Sequence, residues 1–286
     1  EYNRLSNLGK EKEKYDFIVV WNEFTAYMFS DFLNHQYTDR YCVNIRDQNM
    51  NHIPPVQWRY KQALRKSCFA TISSERFREV FPKHDYLFIH SYNNKIIKDL
   101  QPVTTKREYG KPIRIMFIGR MSYPESIYKT IDALGNDKRF ELWLIGVRCS
   151  TFSPYVDEHG YKNIIIHDVF DPNDTSQFLE SADIIYSLNK ENDAHSDTLL
   201  PIKLYYAIGK HIPILVYKSS FTYEFAKKHC MDIGITSADY AQLGDLIFEK
   251  YTEFTQTDID KGCEEAMEEI SRTHSTLIER INQYII

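Results

Sequence analysis

Short apolar runs recur along the chain, and most are followed by polar residues and then by apolar positions at helical spacing. The runs lie at 16–21, 41–45, 69–72, 86–89, 113–118, 141–145, 164–166, 183–186 and 212–216. Four to six apolar residues bounded by turn residues are typical of buried strands. Strands that alternate with helices imply parallel sheets, so the pattern predicts an α/β fold.

Helical spacing marks the segments between and after these runs. The predicted helices lie at 24–33, 54–64, 75–80, 125–134, 175–182, 201–207 and 258–286. Residues 101–112 contain no apolar run and are bracketed by prolines, which is typical of a linker. We therefore predict two domains, 1–103 and 104–286, with two parallel-sheet halves.

Composition narrows the class of partner. The chain has 286 residues, 43% of them hydrophobic, and a net charge of −5, which argues against a general nucleic-acid binder. No apolar run approaches the roughly 20 residues of a membrane span. The five cysteines are scattered, without metal-type spacing or a disulfide framework, which indicates a cytoplasmic protein.

One strand ends in a turn suited to phosphate. The run at 113–118 leads into Gly119 and Arg120 and then into a helix. Ligands of doubly wound sheets bind at the carboxyl ends of strands, where glycine allows a close approach and arginine offers a forked cation. An ordinary turn with a surface arginine is the alternative.

Four motifs, in order, extend this picture. They are Phe117-Ile-Gly-Arg120, Asn163-Ile-Ile-Ile-His-Asp-Val-Phe170, Phe178-Leu-Glu-Ser-Ala-Asp-Ile-Ile185, and Leu200-Pro-Ile-Lys-Leu-Tyr-Tyr-Ala207 followed by His211-Ile-Pro-Ile-Leu-Val216. Together they resemble the second domain of GT-B glycosyltransferases, close to the retaining family 4 that builds bacterial surface and capsular polysaccharides. The resemblance implies two Rossmann-like domains facing a cleft, with the terminal helix crossing back to the first.

The resemblance also implies site residues. Those assigned to the nucleotide and its diphosphate are Gly119, Arg120, His167, Val169, Phe170 and Lys203, and those assigned to the donor sugar are Glu191 and His195. Ordinary structural roles are the alternative for His167 and Lys203, and a solvated loop is the alternative for 189–198. No Asp-x-Asp motif follows a predicted strand, so we expect no metal and no cofactor.

Asp47 is the catalytic candidate, placed at the end of a strand that the resemblance covers only in outline. A carboxylate there could accept the proton of the acceptor hydroxyl, and Arg46 beside it would keep it ionised. A structural Arg46–Asp47 ion pair is the alternative, and His90 is a second catalytic candidate.

The sequence departs from the family in two places. The family's pair of glutamates, eight residues apart, falls here on Thr198 and Tyr206. The family's first strands and glycine-rich loop have no counterpart, and the sequence starts at Glu1 without methionine, so we expect a trimmed or degenerate first domain.

The expected function is therefore transfer of a hexose from a nucleotide sugar, UDP-sugar favoured, to a glycan or lipid-linked glycan. Retention of configuration is expected. A non-catalytic subunit that partners an active glycosyltransferase and a GT-B nucleotide-sugar epimerase are the alternatives. Arg59, Lys61, Arg65 and Lys66 form a basic helix that could contact the inner face of the cell membrane, or simply be solvated.

Overall fold

The computed structural model describes residues 15–48, 53–103 and 110–285, so the centre of the expected linker, 104–109, lies outside the described residues. The chain divides into two compact units. Unit 1 comprises Glu1–Ser91 and Glu269–Ile286, and unit 2 comprises Tyr92–Glu268.

Unit 1 contains a parallel sheet with the strand order β1-β2-β3-β4. Its elements are β1 (Ile18–Trp21), α1 (Glu23–Met28), α2 (Ser30–Gln36), β2 (Tyr41–Ile45), α3 (Pro54–Leu64), β3 (Phe69–Ile72), α4 (Phe77–Val80) and β4 (Tyr86–Phe88). Every residue of β2 and β3 is buried, as expected for central strands covered on both faces.

Unit 2 contains a larger parallel sheet. Its strands are β5 (Ile113–Ile118), β6 (Phe140–Ile145), β7 (Ile164–His167), β8 (Ile184–Tyr186), β9 (Ile214–Tyr217) and β10 (Asp232–Ile235), in the order β10-β9-β8-β5-β6-β7. The helices are α5 (Asn94–Asp99), α6 (Pro124–Leu134), α7 (Ser153–Glu158), α8 (Thr175–Leu179), α9 (Ile202–Lys210), α10 (Phe221–Lys228), α11 (Leu243–Glu253) and α12 (Gln256–Asn282).

The strand order of unit 2 reverses beside β5. The chain runs from β5 outward through β6 to β7, then returns to place β8 on the other side of β5. The connection that leaves β5 leads to β6 on one side, and the connection that leaves β8 leads to β9 on the other side, which opens a crevice at the carboxyl ends of β5 and β8. Open α/β sheets bind ligands at such a switch point.

The last part of α12 belongs to unit 1. Tyr284 stacks on Phe17 with ring centres 5.2 Å apart, and Arg280 pairs with Asp85. His274 also hydrogen-bonds the carbonyl of His90, with 2.9 Å between the heavy atoms. These contacts anchor the end of the chain against the sheet of unit 1.

The predicted parallel α/β architecture is confirmed, and the bounds of β2, β3 and β5 match the predicted runs. The predicted helix at 24–33 is two helices, α1 and α2, which meet at Phe29. β10 was not predicted. Of the described helices, none combines the length and the apolar composition that crossing a bilayer requires.

Candidate functional site

A pocket lies at the switch point of unit 2. It is lined from three sides by β5 and the turn after it, by the residues after β8, and by the first turn of α9. The lining residues are Phe117, Arg120, Met121, Ser122, Tyr123, Ile127, Leu188, Asn189 and Lys203. The structure thus brings Arg120 and Lys203, 83 residues apart in sequence, to one pocket.

Two glycines follow neighbouring strands at this edge of the sheet and approach each other closely. Gly119 and Gly146 follow β5 and β6, and both have positive φ, 128° and 124°. A Cβ on Gly146 would lie 2.1 Å from the carbonyl oxygen of Gly119, so only glycine fits. The sequence reasoning missed Gly146, although it follows an apolar run just as Gly119 does.

Ser126 fixes the walls of the pocket relative to each other. It lies in the first turn of α6, and its hydroxyl donates to the carbonyl of Leu188 at 2.8 Å and to that of Tyr123 at 3.0 Å. The carbonyl of Ser126 in turn accepts from the hydroxyl of Tyr240 at 3.4 Å. The turn after β5 and the turn after β8 are therefore tied together through one buried side chain.

Lys203 is the central cation of the pocket. Its ammonium nitrogen lies 4.0 Å from the centre of the Phe117 ring, and among the described residues no carboxylate pairs with it. Burial lowers its pKa from 10.5 to about 8, a shift that the nearby Cys149 thiol partly opposes. A desolvated ammonium without a counter-ion is poised to bind an anion.

The Cys149 thiol is part of the same surroundings. Burial, followed by the charge of Asp168, raises its pKa to about 12, while Lys203 lowers it. The thiol is therefore neutral at physiological pH and offers no charge to balance Lys203.

Arg120 differs from Lys203 because it is exposed. No described carboxylate holds its guanidinium, so both cations of the pocket lack an acidic partner within the described residues. A forked guanidinium can bind two oxygens of one phosphate group.

An apolar shelf lies along the same sheet edge, two strands from β5. His167 ends β7, and its ring and that of Phe170 each lie 5.0 Å from the ring of Phe178. Val169 between them is 69% exposed. At about 4.8 Å per strand, the shelf lies about 10 Å from the pocket, and its residues do not line it.

The loop at 189–198 is held in place by hydrogen bonds. Asp193 accepts from the amide of Ser196 at 3.0 Å, and Asp197 accepts from the hydroxyl of Ser219 at 2.8 Å. Thr198 donates to the carbonyl of Ala194 at 3.0 Å. The loop therefore has a defined conformation, and its contact with the donor sugar stays a prediction beside the alternative of a solvated loop.

Two donor-sugar candidates lie in this loop. A carboxylate oxygen of Glu191 accepts from the amide of Ser237 at 2.9 Å, which ties the loop to the turn after β10. His195 is half-buried, and its carbonyl accepts from Thr198 at 3.0 Å. Thr198 and Tyr206, at the positions of the family's two glutamates, are both buried.

Asp47 lies in unit 1, just after β2. Its carboxylate accepts from the amide of Gln48 at 2.7 Å. The guanidinium of Arg46 instead lies 5.1 Å from the centre of the Trp21 ring and donates to the hydroxyl of Ser91. Arg46 therefore has partners other than the carboxylate with which a structural pair was considered.

Glu23, which the sequence reasoning passed over, lies near Asp47. It is buried at the start of α1, directly after Asn22, whose φ is 85°. Its carboxylate accepts from the amide of Arg46 at 3.2 Å. The charges of Glu23 and Asp47 both act on Tyr60, whose pKa is raised mainly by burial. The available signal was a carboxylate close behind the apolar run at 16–21, the same placement that singled out Asp47 after 41–45.

Comparison with known proteins places this geometry in a known fold. No family model and no curated protein matches the sequence. Among solved structures, sucrose-phosphate synthase from Thermosynechococcus elongatus matches 96% of this chain and 76% of its own, with TM-score 0.71 and 12% identity. Anabaena HepE in complex with UDP-glucose matches 97% of this chain and 81% of its own, with TM-score 0.72 and 11% identity.

The chain has the GT-B fold.

A third GT-B structure extends the comparison. An alpha-glucosyltransferase in complex with UDP and a 13-mer DNA matches 93% of this chain and 80% of its own, with TM-score 0.58 and 14% identity. Because that protein was solved with DNA, our expectation of no nucleic-acid partner stays a prediction.

Proposed function

We propose that this protein transfers a hexose from a UDP-sugar to a glycan or a lipid-linked glycan, with retention of configuration. The observation that carries the proposal is Lys203, a desolvated ammonium without a carboxylate partner among the described residues, at the switch point of the sheet. In this proposal Lys203 and Arg120 bind the diphosphate of the donor.

The chemistry of transfer requires such cations. When the bond between the sugar and the nucleotide breaks, negative charge develops on the departing diphosphate. A positioned positive group that contacts this charge in a pocket shielded from water is worth roughly 3–4 kcal/mol of transition-state stabilisation. We assign this role to Lys203 and Arg120, and we therefore expect activity to persist in EDTA.

The choice of UDP is supported by two features. Structures of the same fold have been solved with UDP and with UDP-glucose. In addition, the shelf formed by His167, Val169 and Phe170 lies about 10 Å along the sheet edge from the pocket, a span that suits a base on one side and a diphosphate on the other.

The other roles are assigned as follows. Gly119 gives the diphosphate close access to the backbone, and Glu191 and His195 belong to the sugar side, where Glu191 also holds the loop. Asp47 is the proposed base that accepts the proton of the acceptor hydroxyl.

A panel of nucleotides tests the donor. Thermal unfolding is measured with UDP-, GDP- and ADP-glucose and with the free nucleotide diphosphates. A ligand at 100 times its dissociation constant adds about 2.7 kcal/mol of stability, and we expect UDP compounds to do so selectively. Stabilisation by none of these compounds would contradict the proposal.

Turnover separates the proposed function from its alternatives. UDP release from UDP-glucose that depends on an added glycan acceptor is the expected result, and NMR of the product would report the anomeric configuration. Conversion of the donor without an acceptor would identify an epimerase. UDP binding without turnover under any acceptor would identify a non-catalytic subunit.

A further inference from the structure

A turn of the chain lies between the pocket and the shelf of unit 2. It follows β6 and comprises Gly146, Val147 and Arg148. The amide of Met121, which lines the pocket, donates to the carbonyl of Val147 at 3.0 Å. The amide of Gly146 donates to the carbonyl of His167, which belongs to the shelf, at 2.9 Å. The turn is therefore hydrogen-bonded to both halves of the proposed donor site.

The order of the strands explains this position. β6 pairs with β5 on one side and with β7 on the other, so its carboxyl end lies about 4.8 Å from each neighbour. In the proposed complex the base rests on the shelf and the diphosphate enters the pocket, so the ribose and the phosphate attached to it pass over the turn after β6. Val147 is 43% exposed and extends the apolar surface of the shelf towards the pocket.

Arg148 has an unusual backbone conformation. Its φ is 72° and its ψ is 8°, in the left-handed region that favours glycine. Among the described residues, seven other than glycine have positive φ, and five of them are asparagine, aspartate or histidine, which tolerate this region. Cys230 follows the last turn of α10, where left-handed residues are common. Neither the residue type nor a helix end explains the conformation of Arg148.

Hydrogen bonds hold this conformation in place. The carbonyl of Arg148 accepts from the hydroxyl of Thr151 at 2.7 Å and from the amide of the same residue at 3.3 Å. The hydroxyl of Ser150 donates to the carboxylate of Asp168 at 2.6 Å, which ties the residues after Arg148 to the turn after β7. The surroundings thus fix a strained residue, an arrangement that is frequent at ligand sites.

The guanidinium of Arg148 is exposed and has no partner within the described residues. Asp168, on the neighbouring turn, accepts from Ser150 and forms no ion pair with Arg148. A guanidinium that pairs with no carboxylate is able to bind two oxygens of one phosphate group.

We propose that Arg148 binds the α-phosphate of the donor nucleotide, the phosphate attached to the ribose, whereas Lys203 and Arg120 bind the β-phosphate. This assignment rests on the proposed function, since it needs a nucleotide diphosphate that spans the shelf and the pocket. The bond to the sugar breaks at the β-phosphate, so the charge of the α-phosphate changes little during transfer. Arg148 therefore contributes to binding of the donor and little to the chemical step.

Three ligands with zero, one and two phosphates test the assignment. Uridine, UMP and UDP are titrated into the full chain and into its Arg148→Ala variant, by calorimetry or, where binding is weak, by NMR. We expect the affinities for UMP and for UDP to fall by the same factor, roughly tenfold at low salt. The affinity for uridine should stay within about twofold of the wild type, because uridine has no phosphate.

Lys203→Met should give the contrasting pattern. It should lower the affinity for UDP and leave the affinity for UMP nearly unchanged, because UMP has no β-phosphate. In turnover, Arg148→Ala should raise the KM for the UDP-sugar with little change in kcat, which is the signature of a contact that is equally strong in the ground state and the transition state.

Two further variants separate a loss of contact from a loss of structure. Arg148→Gly should lower the affinity as much as Arg148→Ala does but unfold at a higher temperature than that variant, because glycine adopts the left-handed conformation without strain. Lys162→Ala is the matched control for charge. It removes an exposed cation shortly before β7, at the opposite edge of the sheet, and should change neither the affinities nor the KM.

The possible failures of this assignment and of the proposed donor are distinguishable. If the wild type binds UDP and Arg148→Ala binds UMP and UDP equally well, the assignment is overturned and the donor stands. An equal loss for uridine would also overturn the assignment, because Arg148 would then act on the base or the ribose. A loss confined to UDP would contradict it by placing Arg148 at the β-phosphate. A wild-type protein that binds none of the three ligands would overturn the donor and the assignment together.

Discussion

The two ends of α9 each carry a lysine with a lowered pKa, but the surroundings of the two lysines differ. Lys210, at the carboxyl end, is buried and donates to the carbonyl of Gln101 at 2.6 Å. Lys203, at the amino end, lies over an aromatic ring and has no carboxylate or carbonyl partner within the described residues. Burial lowers the pKa of both.

The difference teaches that a lowered pKa alone does not mark a functional lysine. At Lys210 the hydrogen bond to Gln101 joins α9 to the segment 101–103. The amide of Val103 in the same segment donates to the carbonyl of Lys210 at 2.9 Å. That lysine is part of the packing of unit 2. At Lys203 no carboxylate or carbonyl of the described residues offsets the cost of burial, and the ammonium lines a pocket.

The largest expected effect is that of Lys203→Met on binding. We expect the affinity for UDP to fall about 100-fold, because a charge-assisted contact to the diphosphate is lost. Without ligand, the same variant should be more stable than the wild type at pH 7 by about 1–2 kcal/mol. That figure discounts the shift of the pKa for the part of the side chain that remains exposed. Calorimetry with UDP and urea unfolding measure the two quantities.

Loss of both affinity and stability in Lys203→Met would contradict this account, since it would make Lys203 a packing residue like Lys210. Lys261→Met, a substitution of an exposed lysine on α12, is the control and should change neither quantity.

Lys210→Ala should have the opposite signature and a smaller effect. Removing the buried stem and its hydrogen bond to Gln101 is expected to lower the free energy of unfolding by about 1–3 kcal/mol. The affinity of the folded protein for UDP should stay within about twofold of the wild type, as measured by calorimetry well below the unfolding temperature. If Lys210→Ala lowered the affinity for UDP without lowering the stability, the proposed difference between the two lysines would be contradicted.

The smallest expected effect is that of Arg120→Ala. Because Arg120 is exposed, its charge is screened, and we expect the affinity for UDP to fall about fivefold at low salt and less as salt rises. The salt dependence of the Lys203→Met effect should be weaker, because Lys203 is half-buried whereas Arg120 is exposed. Equal salt dependence of the two effects would show that both cations are solvated alike.

Much of the fold could be predicted from local pattern. β2, β3 and β5 are continuous apolar runs between polar residues, and their bounds match the prediction. β10 was not predicted from the sequence because its apolar residues, Ile233 and Ile235, flank Gly234, and a glycine weakens the pattern of a strand. The structure gives the reason for the glycine, since a Cβ there would lie 2.3 Å from the ring of Tyr223.

The site could be predicted only in part. Gly119, Arg120 and Lys203 were found from motifs, but the meeting of Arg120 and Lys203 in one pocket depends on the pairing of β8 with β5, a contact between distant segments that no local pattern encodes. The missing counter-ion of Lys203 is likewise a result of packing. Gly146 could have been found, because Leu144-Ile145-Gly146 repeats the ending of Phe117-Ile118-Gly119.

The most direct test of the central claim is the uptake of protons when UDP binds at pH 8.5. If the pKa of Lys203 is about 8 in the free protein, most of the ammonium is deprotonated at this pH, and a bound diphosphate should restore it. Affinity should therefore fall as the pH rises above 8, because the free protein must first gain a proton.

Calorimetry of UDP binding at pH 8.5 in buffers of different ionisation enthalpy counts those protons. We predict a net uptake of protons as UDP binds to the wild-type protein. Lys210→Ala should show the same uptake, and Lys203→Met, titrated at higher concentration, should show almost none. Tight binding of UDP with no proton uptake by the wild type, or with equal uptake by Lys203→Met, would contradict the assignment of Lys203 as the cation that binds the diphosphate.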